Sequence, residues 1–236
     1  MIKNFLLQVQ LQNQEEVADT LAAAEAPAEE SISVLSLVFQ GGIIMIPLAI
    51  MSIIAIYIFI ERYLAISRAS SEESNFMNNI RDFIHEGRVD SAKSLCRNNN
   101  SPIASMIGKG LARIGRPLND INAAIENVGK LEVTKLEKNI AVLGTVAGAA
   151  PMLGFLGTVI GMVRAFYNMA MAGGNIDISL LAGGIYEAMI TTITGLTVGI
   201  IAFICYNILV ARIEKVVFLL EAKATEFMDL LHEPAS

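Results

Sequence analysis

The sequence predicts an all-α integral membrane protein with three transmembrane helices and long cytoplasmic helical extensions, with the N-terminus outside and the C-terminus inside. Two observations support this fold class. Hydrophobic residues make up 54% of the chain and charged residues only 17%, whereas about a quarter of the residues of soluble domains are charged. The apolar residues are also clustered, because 31–60 and 139–163 carry no charge and one carboxylate interrupts 178–211. Each stretch exceeds the roughly 20 residues with which a helix crosses a bilayer.

These stretches divide the chain into seven predicted segments. In order, they are a periplasmic N-terminal segment (1–40), transmembrane helix 1 (41–63), a cytoplasmic helical domain (64–138), transmembrane helix 2 (139–170), a periplasmic loop (171–177), transmembrane helix 3 (178–211) and a cytoplasmic C-terminal helix (212–236).

The distribution of Lys and Arg predicts the orientation. Cytoplasmic loops of membrane proteins carry an excess of these residues. Residues 64–138 hold eleven Lys and Arg beside nine acidic residues, whereas residues 1–40 hold six acidic residues and one Lys. Arg212 and Lys215 follow the third span. Arg164, near the outer end of the second span, is the exception, and its long side chain can snorkel to the membrane surface.

The regions outside the spans are predicted to be helical. Ser101, followed by a proline, has the pattern of a helix start. Apolar residues recur at helical spacing from Leu118 onward, so we expect one continuous helix from there to Met169, roughly 75 Å long at 1.5 Å per residue. The third span is expected to continue as a helix past Arg212 to about Leu231.

Glu187 is the single charged residue within the third span. An ionised carboxylate in hydrocarbon costs several kcal/mol, so such acids face a bundle interior or a cavity. Removal from water favours the protonated form of a carboxyl group, and a group that gains and loses a proton can carry protons. Arg164 is expected several turns away, which disfavours a permanent salt bridge. The alternative is a structural, protonated Glu187 that is hydrogen-bonded between helices.

Threonines surround Glu187 in the second and third spans. They are Thr145, Thr158, Thr191, Thr192, Thr194 and Thr197. At about 100° per residue, Thr191 and Thr194 share a helix face with Glu187. Such a stripe of hydroxyls could hold water in a line. Alternatively, each threonine bonds its own helix or a neighbouring helix, as is common in membranes.

Glycines recur at four-residue spacing in the second and third spans. The pairs are Gly144 with Gly148, Gly157 with Gly161, and Gly195 with Gly199. This spacing allows close helix contact, so we expect these two spans to pack tightly, within or between subunits. Pro151 removes a backbone hydrogen bond from the second span and is expected to bend it.

Several classes of function are not indicated by any motif. The chain lacks metalloprotease, serine hydrolase and phosphate-loop signatures, and Cys96 and Cys205 form neither a disulfide framework nor a metal motif. No basic patch suits a nucleic acid. We therefore expect no enzyme activity, no cofactor, no metal site and no nucleic-acid partner.

Two stretches resemble a known family. Residues 150–162 read A-P-M-L-G-F-L-G-T-V-I-G-M, and residues 184–199 read G-I-Y-E-A-M-I-T-T-I-T-G-L-T-V-G. Both resemble the signature of the ExbB/TolQ/MotA proton-channel family, and they are more similar to ExbB and TolQ than to MotA. The resemblance covers about residues 40–215.

The resemblance implies a multi-pass inner-membrane protein that forms a homopentamer, with the second and third spans lining a central pore. It implies a single-span ExbD/TolR-like partner in that pore, which contributes an Asp, and a TonB- or Tol-Pal-type envelope protein on which proton flow performs work. By motif, Glu187 matches the pore glutamate, Thr158 the threonine of span two and Thr192 the threonine of span three. Helix geometry instead favours Thr191 beside Glu187.

Other interpretations stay open at this stage. The motifs do not distinguish an ExbB from a TolQ role, or protons from sodium ions. A MotA-like flagellar stator would have four spans with both termini inside. A non-conducting membrane scaffold would use Glu187 only for structure.

Overall fold

The computed structural model describes residues 41–70, 75–171 and 178–232, with side chains described from residue 181 onward in the last range. The predicted N-terminal segment 1–40 and nearly all of the predicted loop 171–177 lie outside the described residues. Every element that the described residues form is a helix, which confirms the all-α prediction. The helices are α1 (Met45–Ser70), α2 (Phe76–His85), α3 (Val89–Asn98), α4 (Pro102–Leu111), α5 (Leu118–Leu136), α6 (Ile140–Met171) and α7 (Ile178–His232).

Three helical stretches are long and apolar enough to cross a membrane. They are Met45–Ser70, Leu118–Met171 and Leu181–His232. The apolar part of the second stretch is α6, since α5 is amphipathic and carries several charges. The predicted number of long apolar helices is therefore confirmed.

The predicted continuous helix from Leu118 to Met169 is wrong. Helix α5 ends at Leu136 and α6 begins at Ile140. In the three-residue break between them, Asn139 has a φ of 64°. This left-handed conformation interrupts a right-handed helix, and Asn tolerates it better than most residues do.

The break between α5 and α6 is bonded to α1. The buried Arg62 donates from Nη1 to the backbone carbonyl of Lys135 at 2.9 Å and also pairs with Glu61. Carbonyls in the last turn of a helix lack a partner within that helix, so Arg62 satisfies one that the break leaves open.

Helix α7 runs without interruption from Ile178 to His232, as predicted for its continuation to Leu231. At 1.5 Å per residue, its 55 residues are about 80 Å long. Phe227 near its end is fully buried. A Cβ added to Gly110 of α4 would lie 2.8 Å from Phe227 Cε1 and 2.8 Å from Ile125 Cδ1. The end of α7 is thus part of the core of the α2–α5 region.

Helix α4 begins where its sequence pattern predicts. Ser101 has an extended backbone, and its hydroxyl accepts a hydrogen bond from the Ala104 N–H at 3.2 Å, while Pro102 occupies the first helical position. A side-chain cap of this kind stabilises a helix by about 1 kcal/mol.

Helices α1 and α7 are also joined by Tyr63 and Arg212. Arg212 donates from Nη2 to the Tyr63 hydroxyl at 2.7 Å, and its guanidinium lies 4.0 Å from the centre of the Tyr63 ring. This cation–π contact and hydrogen bond lie at the end of α1 opposite Gly42. They hold α1 against α7 at a point remote from Glu187.

Candidate functional site

Helices α6 and α7 pack antiparallel at very short range, because small residues line their interface. A Cβ added to Gly195 would lie 2.6 Å from the carbonyl oxygen of Ala150 and 2.8 Å from Gly154 Cα. One end of the interface brings Gly161 against Gly184 and Ala188. Close backbone approach of this kind is what small residues permit in membrane helix pairs. Of the predicted glycine pairs, Gly157 with Gly161 and Gly195 with Gly199 therefore lie between α6 and α7 of the same chain, whereas no heavy atom lies within 4 Å of a Cβ built at Gly148.

Pro151 lies within α6 at the same interface. A Cβ added to Gly199 would meet the Pro151 ring, at 2.5 Å from its Cγ. The Pro151 ring therefore packs against α7 at Gly199, where no side chain is in the way.

The register of this antiparallel pair determines what faces Glu187. Because Gly161 lies against Ala188, the position opposite Glu187 falls within one turn of Arg164. Arg164 Nη1 and Glu187 Oε1 are 3.4 Å apart. The expectation that Arg164 lies several turns away, with no salt bridge, is wrong. The physical reason is that a short connection between two long antiparallel helices places residues equidistant from it side by side.

Both partners of this ion pair are only partly covered by the chain. The side chain of Arg164 is 54% exposed and that of Glu187 is 28% exposed. No other charged residue occurs in α6, or in α7 before Arg212. Within the apolar parts of these helices, each charge therefore has a single opposite charge available.

The residues before α1 cover the other side of Glu187. Gly42 has a φ of 68°, a conformation that suits glycine. A Cβ at this position would also overlap Glu187 Oε1. The carboxylate thus occupies the space that a side chain would need. It lies beside the N-terminal end of α1, whose partial positive charge favours an anion.

A small cavity of about 10 Å³ lies where α6, α7 and the start of α1 meet. Its polar side chains are those of Glu187, Arg164 and Thr191, and the rest of its lining is apolar or glycine. This volume is close to the least that a single water molecule needs. The cavity itself therefore has room for about one water molecule.

The six threonines predicted near Glu187 all donate to backbone carbonyls. The acceptors are Ala141 for Thr145, Phe155 for Thr158, Ala188 for Thr191, Gly154 for Thr192, Ile190 for Thr194 and Ile193 for Thr197. Five of these bonds stay within the threonine's own helix. The bond of Thr192 joins α7 to α6 at 3.0 Å. This arrangement corresponds to the structural alternative raised from the sequence. Each hydroxyl oxygen nevertheless keeps its capacity to accept a hydrogen bond.

Thr191 is the threonine that shares the cavity with Glu187. It is 2% exposed, and its hydroxyl donates to Ala188 at 2.7 Å. A Cβ at Gly157 would overlap the Thr191 side chain, so the small residue on α6 makes room for the hydroxyl. The cavity lining does not include Thr158, Thr192 or Thr194.

Two residues of this site were not assigned a role from the sequence. The sequence analysis assigns Gly42 only to the first span, although two consecutive glycines at a helix start indicate a backbone with positive φ or a close contact. Arg164 was treated as an exception to the charge pattern. The length of the connection between the second and third spans was the signal that could have placed it near Glu187.

The model of the "MotA/TolQ/ExbB proton channel family" matches residues 98–222, which is more than half of the chain and includes Arg164 and Glu187.

Individual relatives are similar over parts of their length. The chain is 31% identical to a putative biopolymer transport protein ExbB homolog of Methanothermobacter thermautotrophicus, over 77% of this chain and 64% of that protein. It is 27% identical to the putative biopolymer transport protein ExbB-like 3 of Synechocystis, over 71% of this chain and 80% of that protein. It is 36% identical to the Tol-Pal system protein TolQ of Haemophilus influenzae, over 44% and 45% respectively.

Proposed function

Because this multi-pass membrane protein belongs to the MotA/TolQ/ExbB proton channel family, we propose that it is the proton-channel stator subunit of an inner-membrane motor. The motor uses the proton-motive force to energise outer-membrane transport or envelope maintenance. A single-span ExbD/TolR-like subunit converts proton passage into motion, and a TonB- or Tol-Pal-type envelope protein receives the work.

The observation that carries this proposal is the position of Glu187. The carboxylate lies inside a long apolar helix, at the meeting point of three helix segments, beside a cavity of about 10 Å³. Ionisable groups at membrane depth are costly and usually belong to ion or proton pathways. One elementary charge that crosses 100 mV releases about 2.3 kcal/mol, so a few protons suffice for a conformational step.

The proposed proton pathway consists of Glu187 and nearby threonines. Glu187 takes up and releases the proton. Thr191 lines the same cavity, and its oxygen can accept a hydrogen bond from a passing water or from the protonated acid. Thr192 and Thr158, which match the family motif, and Thr194 extend the pathway beyond the cavity as hydrogen-bond acceptors.

The proposed assembly is a homopentamer embedded in the lipid bilayer, with α6 and α7 around a central pore. Large apolar side chains on the outside of both helices support this arrangement, since they need lipid or a neighbouring subunit to cover them. Among them, Phe155, Val163 and Ile193 are 68%, 63% and 62% exposed. A single chain with one carboxylate cannot convert proton passage into motion alone, so the single-span partner is part of the proposed assembly.

The proposed orientation has the N-terminal segment in the periplasm and residues 64–138 and 212–236 in the cytoplasm. The excess of Lys and Arg in residues 64–138 supports it. In this orientation Glu187 lies nearer the periplasmic end of α7, so a proton that reaches it from the periplasm has most of the membrane still to cross.

Replacement of Glu187 by Gln tests the proposed function. The change removes the ionisable group and keeps nearly the same shape, so we expect the oligomer to form and partner-dependent transport or envelope function to be lost. The matched control is E214Q, which removes an exposed carboxylate from the same helix outside its apolar part and should leave function intact. Retained function in E187Q, with the oligomer verified, would reject the channel proposal.

A non-conducting scaffold is the second candidate, and one observation favours it. The Arg164–Glu187 ion pair gives the carboxylate a structural partner on the neighbouring helix. The E187Q experiment separates the two candidates. A MotA-like stator is separated by a reporter fused at residue 20, which would be cytoplasmic in a four-span chain and periplasmic in the proposed topology.

A further inference from the structure

Arg164 has no part in the pathway proposed above, yet it is the side chain that contacts the Glu187 carboxylate. Its Nη1 lies 3.4 Å from Glu187 Oε1, across the closely packed interface between α6 and α7. On the opposite side, the carboxylate meets the backbone of Gly42. Glu187 is therefore held between a guanidinium and the start of α1.

We propose that Arg164 is a positioning residue that holds Glu187 against Gly42 and covers one side of the carboxylate, so that Glu187 becomes more accessible when the ion pair separates. The inference rests on the proposed function of Glu187 for its link to conduction. The contact itself, and its effect on access to the carboxylate, stand apart from that link.

The surroundings of the pair explain why it should persist at rest. Arg164 and Glu187 are the only charged residues of α6 and of α7 before Arg212. In a medium of low dielectric constant, opposite charges attract strongly and an unpaired charge is costly. Either a proton on Glu187 or a competing anion beside Arg164 is then needed to separate them.

The surroundings and exposed fractions of the two side chains indicate which one moves. Glu187 lies at the junction with Gly42, and its backbone is fixed by the contact of Ala188 with Gly161. Arg164 has a long, flexible side chain that is 54% exposed, so it can turn along the outside of α6 without disturbing the helix interface. Separation therefore consists of a movement of Arg164 away from a stationary carboxylate.

The cavity shows what this movement opens. With the pair intact, the space beside Glu187 is about 10 Å³, and Arg164 and Glu187 both line it. Withdrawal of the guanidinium removes one wall and connects this space to the exposed face of α6. A proton or a small reagent can then reach the carboxylate from that side.

Modification of Glu187 by N,N′-dicyclohexylcarbodiimide tests the proposal. This apolar reagent reacts with accessible, protonated carboxyl groups, and mass spectrometry measures the modified fraction. The full chain is labelled in native membranes together with its single-span partner. We expect R164Q to be labelled at Glu187 about tenfold faster than the wild type, which corresponds to about 1.4 kcal/mol.

Three controls make the labelling specific. The R164K variant keeps the positive charge and should be labelled at nearly the wild-type rate. The R212Q variant removes an arginine that bonds Tyr63 at the other end of α1 and should also resemble the wild type. The E187Q variant should show no labelling at this position, which identifies the modified residue.

Equal labelling of R164Q and the wild type would overturn the proposal, as would an equally large increase in R212Q, because general loosening would then explain both. Should R164Q fail to accumulate, G42A provides a second route, since its Cβ would overlap Glu187 Oε1 and displace the carboxylate. Unchanged labelling of G42A would then count against the proposal. The labelling rate does not depend on conduction, so functional E187Q would reject the channel while leaving the Arg164 contact to be decided separately.

Discussion

Arg164 and Glu187 face each other across the α6–α7 interface, with 3.4 Å between Nη1 and Oε1, although 22 residues separate them in the chain. The pair combines the two charges that the apolar parts of these helices contain. Because Gly42 meets the carboxylate from a third segment, Glu187 is the point at which α1, α6 and α7 come together. The site is thus a product of helix register as much as of residue type.

Replacing Thr191 and Thr192 separately by Val should show which of the two contributes more to the proton pathway. Helix geometry favours Thr191, and the family motif favours Thr192. Thr191 lines the cavity with Glu187, whereas Thr192 bonds the Gly154 carbonyl. We expect T191V to lower partner-dependent activity about tenfold, equivalent to about 1.4 kcal/mol in the barrier, and T192V to lower it less. The measurement is proton-driven activity at equal amounts of assembled protein. A larger loss in T192V would favour the family motif over the cavity.

Changes at Asn139 should affect stability through the left-handed backbone of the break between α5 and α6. In a left-handed position, Ala costs roughly 1–2 kcal/mol more than a residue that tolerates it, so N139A should lower the thermal unfolding midpoint of the purified protein in detergent. The N139G variant should be unchanged or slightly more stable, because glycine adopts a φ of 64° freely. A continuous helix would produce the reverse order, since Ala is the better helix former.

The close approach of α6 and α7 should make Gly195 intolerant of any side chain. In G195A the new Cβ would lie 2.6 Å from the Ala150 carbonyl oxygen, and overpacking of this kind costs about 1–3 kcal/mol. We expect a lower unfolding midpoint in detergent. The matched control is G148A, because no heavy atom lies within 4 Å of a Cβ at Gly148 in this chain. Equal stability of the two variants would show that the helices are farther apart than described.

The buried thiol of Cys96 should contribute a pH dependence to stability at alkaline pH. Burial raises the pKa of Cys96 from 9.0 to about 11. Between these pH values the unfolded chain loses the thiol proton while the folded chain keeps it, so stability falls as the pH rises. The difference in unfolding midpoint between the wild type and C96A should therefore change between about pH 9 and 11 and be constant below pH 8 or so. A constant difference throughout would contradict the burial of this thiol.

The sequence predicted the helices better than it predicted their interruptions. Long apolar stretches identify spans because nothing else in a protein needs such runs, and the continuation of α7 to His232 followed from its unbroken periodicity. The break at Asn139 was missed, since neither Gly nor Pro marks it. It is bonded to Arg62, which lies 73 positions away from the carbonyl that it contacts. A distant contact of this kind leaves no trace in local periodicity.

The sequence predicted which residues form the candidate site better than it predicted which of them are in contact. Glu187 and Thr191 follow from a lone acid in an apolar helix and from helical spacing, and the structure places both at one cavity. Arg164 was predicted to lie far from Glu187 because only its depth within the second span was considered. Its contact with Glu187 follows instead from the similar number of residues that separates each of them from the connection between α6 and α7.

By itself, the sequence determined which stretches need an apolar environment, that they are helical, and that one carboxylate lies among them. These properties depend on residue type and local spacing, which the chain carries explicitly. Only the tertiary structure decided that Arg164 is the partner of Glu187 and that Gly42 leaves room for the carboxylate. Those contacts depend on how three separate helix segments are aligned, and a shift of one helical turn, about 5.4 Å, would replace each of them by another.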